Sequence, residues 1–173
     1  MVDWPRPGVI ALVKELYELS DDNRRFLHAR LLENLTDSNR EDARRKIAKL
    51  ITPATVFNNR FRHGDVKRVI DQYAKATDDD AGVAELLVAD LSATLETFAE
   101  VGDVEILVDH AYASMERLHK TLDRLGPSHG LPVVISLQKL AQRWSGQFGY
   151  GLSDELDGLA DEWETRLAPR ETP

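Results

Sequence analysis

The chain has 173 residues, 42% of them apolar, and carries a formal charge of −8. That apolar content suffices for one packed core, so a single helical domain is predicted over residues 1–173. The chain has no cysteine, which excludes disulfides, thiolate metal sites and cysteine nucleophiles. No stretch reaches the roughly 18–20 apolar residues that cross a bilayer, and the start does not read as a signal peptide. The expected location is therefore the cytoplasm.

The first helices are predicted from apolar residues that repeat at helical spacing. Residues 1–8 contain two prolines and a glycine, so they predict a non-helical segment that anchors the terminus. The first helix then shows one buried face, and Ser20 is the expected N-cap of the second. The apolar residues are Val9, Leu12, Val13, Leu16 and Leu19 in the first helix and Phe26, Leu27, Leu31 and Leu35 in the second. The short link between them predicts an antiparallel hairpin.

The next segments are bounded by polar start signals. Ser38-Asn39-Arg40-Glu41 fits a capping box that opens a third helix, which ends before Pro53. Residues 57–64 lack periodicity and predict a loop whose Phe57 and Phe61 side chains are held by the core. Asp65 is the expected cap of the helix that follows.

The longest predicted elements lie at the centre of the chain. Residues 80–125 read as two long helices joined at Val101-Gly102-Asp103-Val104, with Asp103 as a cap, and they form the expected spine of the fold. A further helix is predicted from Leu131-Pro132, and Ser153 opens the last one. Residues 169–173 read as a frayed tail. With no two-residue alternation, the prediction is an all-α fold: about eight helices in antiparallel hairpins or an irregular helical-repeat-like stack.

Motifs that would carry chemistry are incomplete. Glu116-Arg117-Leu118-His119 matches half of a ferritin-like di-iron site, and no other histidine has glutamate three residues before it. Ser136-Leu137-Gln138-Lys139 matches one element of penicillin-recognising enzymes without its companions. The glycines of residues 146–151 stand in the wrong order for a dinucleotide fingerprint and follow no strand. No catalytic residue, metal site or cofactor is therefore predicted.

Two stretches remain as candidate binding surfaces. Residues 20–70 carry twelve Lys and Arg against seven Asp and Glu, whereas residues 71–125 carry four against thirteen. Such asymmetry is typical of a polar partner surface, a nucleic-acid contact, attraction between packed layers of the fold, or merely solvated helix faces. The turn at residues 144–151 combines three glycines with three aromatics. This combination suits either a surface for a partner or a loop whose aromatic side chains close one end of the core. The candidate binding residues are Arg44, Arg45, Lys49, Arg60, Arg62, Lys67, Arg68, Trp144, Phe148 and Tyr150.

Two segments resemble a known group of proteins. Leu19-Ser20-Asp21-Asp22-Asn23-Arg24-Arg25-Phe26-Leu27, followed later by Tyr73-Ala74-Lys75-Ala76-Thr77 and a long helix, is similar to a family of short, uncharacterised bacterial helical proteins. The glycine-aromatic turn near the C-terminus shares this resemblance. What it implies is a bacterial cytosolic helical domain, and it implies no activity.

The sequence therefore predicts a non-enzymatic helical interaction or adaptor module that presents charged faces to a protein partner or to itself. The first alternative is a nucleic-acid-associated protein that uses the basic segment 24–68. The second is an enzyme or cation-binding factor that uses the acidic and histidine-bearing face of the helix at 104–125, where His110 is expected to be exposed among carboxylates.

Overall fold

The computed structural model describes residues 5–31, 36–102 and 104–167. Over this part the fold is all-α, as predicted, and contains nine helices and no strand. None of these helices combines the length and apolarity that a bilayer crossing requires. The helices are α1 (Arg6–Leu19), α2 (Asp21–Leu31), α3 (Thr36–Leu50), α4 (Pro53–Phe57), α5 (His63–Thr77), α6 (Asp80–Val101), α7 (Glu105–Leu122), α8 (Pro127–Trp144) and α9 (Leu152–Leu167).

The helices α6 and α7 form the spine, as the sequence predicts. α6 packs against α7 and also against α3, α4, α5 and α8, and α9 packs on α7 and α8. This position requires apolar side chains on several sides of α6, which explains the width of its apolar stripe. The buried side chains of α6 include Val83, Leu86, Leu87, Leu91, Leu95 and Phe98. We call α3–α9, which surround this core, the body.

Several predicted helix starts are wrong because an earlier residue begins the helix. α3 starts at Thr36, so Ser38 lies inside it. α5 starts at His63, and its N-cap residue Arg62 makes no side-chain capping bond, so Asp65 is already in the first turn. α8 starts at Pro127 and carries Pro132 within it. Asp103 and residues 169–173 lie outside the described part of the chain.

The start of the chain also differs from the prediction. α1 begins at Arg6, with Pro5 as N-cap and Pro7 in the first turn, where the missing N–H of proline has no helical partner to lose. Of the predicted non-helical segment 1–8, residues 6–8 are therefore helical.

The loop prediction at residues 57–64 is half right. Phe61 is buried, but Phe57 is 72% exposed and ends the short helix α4. A capping box opens α4: Thr52 and Thr55 each accept the other's backbone N–H, at 3.2 and 3.0 Å. The box gives the N–H of Thr52 an acceptor and adds a second acceptor to the N–H of Thr55, which also donates to the Thr52 carbonyl at 3.0 Å.

The corner between α5 and α6 is closed by a tyrosine and a glycine. The Tyr73 hydroxyl donates to Asp79 Oδ2 at 2.6 Å, and Asp79 Oδ1 accepts the backbone N–H of Gly82 at 2.9 Å. Burial and the bond to Asp79 both raise the pKa of Tyr73. A Cβ at position 82 would lie 2.2 Å from both Tyr73 Oη and Asp79 Oδ2, so the corner closes only around glycine.

The helices α1 and α2 form an outer pair beside the body. Ser20 links them and caps α2 as predicted, accepting the N–H of Asn23 at 3.1 Å. α2 packs on α5, and α1 packs chiefly on α2. The predicted buried face of α1 is wrong, because no residue of α1 is buried. Its apolar face, defined by Val9, Leu12, Val13 and Leu16, is between 36% and 44% exposed.

Candidate functional site

A buried polar cluster joins α5, α6 and α7. Asp90 of α6 and His110 of α7 are 1% and 2% exposed. Asp90 Oδ1 lies 2.8 Å from His110 Nε2, and Asp90 Oδ2 accepts a 2.6 Å bond from the Ser114 hydroxyl. On its other side, His110 Nδ1 lies 2.6 Å from Nδ1 of His63, the first residue of α5. These four side chains are the polar cluster.

Helical spacing places three members of this cluster, Asp90, His110 and Ser114, inside the core. Asp90 follows Leu87 by three residues and precedes Leu91, so it shares their buried side of α6. His110 and Ser114 flank Ala111 on the buried side of α7. The Phe61 ring meets His110 edge to face, with ring centroids 5.0 Å apart. Asp90, His110 and Ser114 are therefore buried, whereas His63 is exposed at the outer end of the cluster.

The polar cluster satisfies most of its own hydrogen-bonding capacity. Burying a neutral polar group without a hydrogen bond costs on the order of 2–7 kcal/mol, and an unpaired carboxylate costs more. Here Asp90 has one partner on each oxygen. Burial lowers the pKa of His63, and the adjacent His110 lowers it further. His63 therefore favours the neutral imidazole, while its Nε2 makes no hydrogen bond to the described residues.

A small cleft opens beside the cluster between α5, α6 and α7. It has a volume of about 150 Å³. Its walls are mostly aliphatic, its floor is formed by the cluster, and two cations stand among its lining residues. The side chains concerned are Val66, Ile70, Leu87 and Ala113 for the walls and Lys67 and Arg117 for the cations.

Both cations bind one carboxylate that does not line the cleft. Lys67 Nζ lies 2.6 Å from Asp71 Oδ2, and Arg117 Nη2 lies 2.7 Å from Asp71 Oδ1. The pKa of Asp71 is lowered: burial opposes this, but the hydrogen bonds and charges of Lys67 and Arg117 outweigh it. Asp71 therefore fixes the two cations at the cleft.

The predicted basic residues do not converge on one site. Lys67 lies at the cleft just described, whereas Arg44 lines a separate cleft of about 730 Å³ between α3, α6 and α8. Most of the others bond to groups nearby in sequence: Arg45 pairs with Asp42, Arg68 with Asp65 at 2.7 Å, and Arg62 donates to the carbonyls of Asn59 and Phe61. Lys49 and Arg60 are exposed. Nucleic-acid binding by the basic segment stays a prediction.

The aromatic turn contributes to both the core and the surface. Phe148 packs on Phe98 and Trp144, with ring centroids 5.1 and 5.2 Å apart. Tyr150 is 70% exposed, and its carbonyl accepts the Tyr112 hydroxyl at 2.7 Å. Of the three predicted aromatic binding residues, Tyr150 is thus the most accessible.

The expected exposure of His110 on α7 is wrong. His110 is buried against Asp90 and does not stand among the exposed carboxylates Glu105 and Asp109. His119 lies at the helix border, where its Nδ1 accepts the Trp163 indole N–H at 3.2 Å and its Nε2 lies 3.8 Å from Asp123 Oδ2. Within the described ranges, no three His, Asp or Glu side chains are arranged to hold a metal ion.

The sequence carried a signal for the polar cluster that motif searching misses. Asp90 is the one acidic residue among the apolar positions of α6 from Leu86 to Leu95, and a charged group on such a face needs a buried partner. His110 stands on the corresponding face of α7. The third member, His63, follows a loop, and its approach to His110 depends on tertiary packing.

Comparison with protein-family models, with curated protein sequences and with solved structures finds no match for this chain. The resemblance to short bacterial helical proteins therefore stays a prediction, and the function has to be argued from the described surfaces and clusters.

Proposed function

We propose that this protein is a non-enzymatic helical interaction module of the bacterial cytoplasm that docks through the apolar face of α1. The observation that carries the proposal is the exposure of that face: Val9, Leu12, Val13 and Leu16 stand on one side of a regular helix and none is buried. Contiguous exposed apolar surface on a folded protein is typical of an interaction site.

The face has the form of a helix-pairing surface. Its residues follow the three- and four-residue spacing at which apolar side chains of two helices interlock. Leu19 extends the apolar surface of α1 at its C-terminal end and is 77% exposed. Covering such side chains contributes roughly 25 cal/mol per Å² of apolar surface removed from water. A partner helix could therefore bind to this face favourably, and the body would not have to rearrange.

The occupant we assign to this face is a second copy of the chain. The charged side chains of α1 are Arg6, Lys14, Glu15 and Glu18, which sum to zero. In an antiparallel pair of α1 helices centred between Leu12 and Val13, the two apolar faces cover each other and the charged side chains stay at the edges or on the outer side. Because the charges of α1 sum to zero, two copies pair without net repulsion, and their antiparallel helix dipoles attract each other.

The test is the molar mass in solution, measured by light scattering after size exclusion. We expect a dimer for the wild type and a monomer for Leu12→Glu, because a carboxylate in the paired face must lose its hydration. The matched control is Ile135→Glu on α8, whose side chain is 49% exposed, and this variant is expected to stay dimeric.

Two results would overturn self-association. One is a wild type that stays monomeric as its concentration is raised. The other is loss of the dimer in Ile135→Glu as well as in Leu12→Glu. If a monomeric wild type captures another protein and Leu12→Glu does not, the face is a docking surface for that protein and the assigned occupant is wrong.

A further inference from the structure

The contact between His63 and His110 limits how many protons the two imidazoles can hold. Their Nδ1 atoms lie 2.6 Å apart, so one of these nitrogens donates a hydrogen and the other offers a lone pair. An imidazolium carries a hydrogen on both of its nitrogens and has no lone pair to offer. The contact therefore persists when one of the two rings is an imidazolium but not when both are, whichever ring takes the first proton.

The two rings differ in how they are held. His110 is 2% exposed in α7, whereas His63 is exposed and lines the cleft between α5, α6 and α7. On either side of His63 in the sequence, Phe61 and Val66 are 2% and 0% exposed, so they anchor the backbone to the core. If the contact breaks, the His63 side chain can turn into solvent while α5 stays folded.

The charged groups around His63 come from α5, α6 and α7. Partial burial of the ring and the neighbouring His110 lower the pKa of His63, and Lys67 of α5 and Arg117 of α7 lower it further. Asp90 of α6 opposes them without outweighing them. His63 also opens α5, where the helix dipole disfavours a positive charge. In contact with His110, the His63 ring therefore favours its neutral form.

The other charged side chains near this end of α5 bind elsewhere. Asp65 pairs with Arg68 at 2.7 Å, and Arg62 donates to two backbone carbonyls of its own loop. Asp71 binds both cations of the cleft. These carboxylates are therefore already paired, whereas Asp90 faces the imidazole pair directly.

Acid favours the form in which the two rings are apart. Rings in contact hold at most one proton more than two neutral imidazoles do, whereas separated rings can hold two. The form that binds more protons gains as pH falls, and an unperturbed histidine has a pKa of about 6.5. The balance therefore moves towards separation below about pH 6.5, by at most about tenfold per pH unit. The lowered pKa of His63 has the same sign, because it means that protonation weakens the contact.

We propose that His63 is an acid-released gate of the cleft. In neutral solution its ring lies against His110 and closes the outer end of the polar cluster. When both imidazoles hold a proton, the His63 ring turns outward and water enters the cleft of about 150 Å³, while Phe61 and Val66 keep the backbone in place. Protonation of clustered histidines is a general basis of pH-dependent switches. The inference goes beyond the interaction function and does not depend on it.

The experiment is a pH titration of the isotope-labelled, full-length protein between about pH 7.5 and 5, followed by nuclear magnetic resonance. At the neutral end, the hydrogen between the two Nδ1 atoms should give a signal that is protected from exchange with water. We expect this signal to disappear below about pH 6.5 as both rings become imidazolium, while the backbone amide signals of α6 and α7 persist. The matched control is His129→Gln, which changes an exposed histidine of α8 and should titrate as the wild type does.

A second variant removes one imidazole of the pair. His63→Gln places an amide beside His110 that can donate or accept a hydrogen bond and takes up no proton in this pH range. As pH falls below about 6.5, the unfolding equilibrium constant of the wild type should therefore rise more steeply than that of His63→Gln, by at most about tenfold per pH unit. Urea denaturation at each pH measures this difference.

The proposal is overturned if the protected hydrogen is not seen in neutral solution, or if its signal persists to the acid end of the titration. It is also overturned if the amide signals of α6 and α7 are lost together with it, because the event would then be global unfolding. Equal pH dependence of unfolding in the wild type and His63→Gln would show that the imidazole pair does not control the opening.

Discussion

The outer pair and the body both contain helices with apolar residues at helical spacing, but these residues are buried in the body and exposed in α1. In α7, Leu107, Ala111, Met115 and Leu118 are at most 3% exposed, whereas the four residues that define the apolar face of α1 are 36–44% exposed. In both regions, an apolar stripe at helical spacing therefore predicts a helix and the face through which it packs against another surface. The stripe does not show whether that face is buried by other helices of the same chain or is left for another molecule.

The largest expected effect tests this difference with one substitution in each region. Leu91→Ala in the body should lower the free energy of unfolding by about 3 kcal/mol, because it leaves a cavity in a closed core. Leu16→Ala in α1 should cost about 1 kcal/mol or less, since a side chain that is 40% exposed loses less burial. Urea denaturation followed by circular dichroism measures both, at a concentration low enough to keep the chain monomeric. Equal losses would show that α1 is part of the core.

The sequence predicts most of the helices of the body, but it does not predict which surfaces of the outer pair are covered. The all-α class, the spine and the cap at Ser20 follow from local spacing and start signals, which act within a few residues. The exposure of α1 and the approach of His63 to His110 depend on which helices meet, and helical periodicity contains no such information. Helix starts fail for a related reason: Ser38 and Asp65 are good caps, yet α3 and α5 continue past them towards the N-terminus.

A smaller effect should distinguish global from local unfolding. Thr52→Ala removes the capping box of α4 inside the body and should cost about 1 kcal/mol of global stability. Ser20→Ala removes from α2 an N-cap that should stabilise its helix by a similar amount. We expect it to speed amide hydrogen exchange in α1 and α2 with little change in global stability, because a weakly attached pair opens on its own. A matching global loss in Ser20→Ala would show that the outer pair unfolds together with the body.

The smallest effect is electrostatic and depends on pH. Arg124 donates two hydrogen bonds to Asp80, at 2.9 and 2.7 Å, and these bonds lower the pKa of Asp80. The pair joins the start of α6 to the segment after α7, but it is largely exposed, so Asp80→Asn should cost only about 0.5 kcal/mol at neutral pH. A carboxylate whose pKa is lowered by folding stabilises the protein above its unfolded pKa. The contribution is lost as pH falls below about 4.

Thermal melts of wild type and Asp80→Asn at neutral and acidic pH measure this contribution, and the two curves should converge in acid. The matched control is Asp21→Asn in the outer pair, where Asp21 lies 3.2 Å from Arg24 on the same helix. It should leave the melting temperature of the body unchanged. A difference between wild type and Asp80→Asn that persists in acid would assign the effect to something other than the charge.

The corner between α5 and α6 offers a way to recognise relatives of this chain that overall similarity does not reveal. A side chain at position 82 would collide with both Tyr73 and Asp79, so as long as these two residues keep their hydrogen bond, position 82 has to be glycine. We expect a distant relative that keeps this corner to keep a tyrosine, an aspartate and a glycine at the spacing of Tyr73, Asp79 and Gly82, even where its surface and its outer helices have diverged.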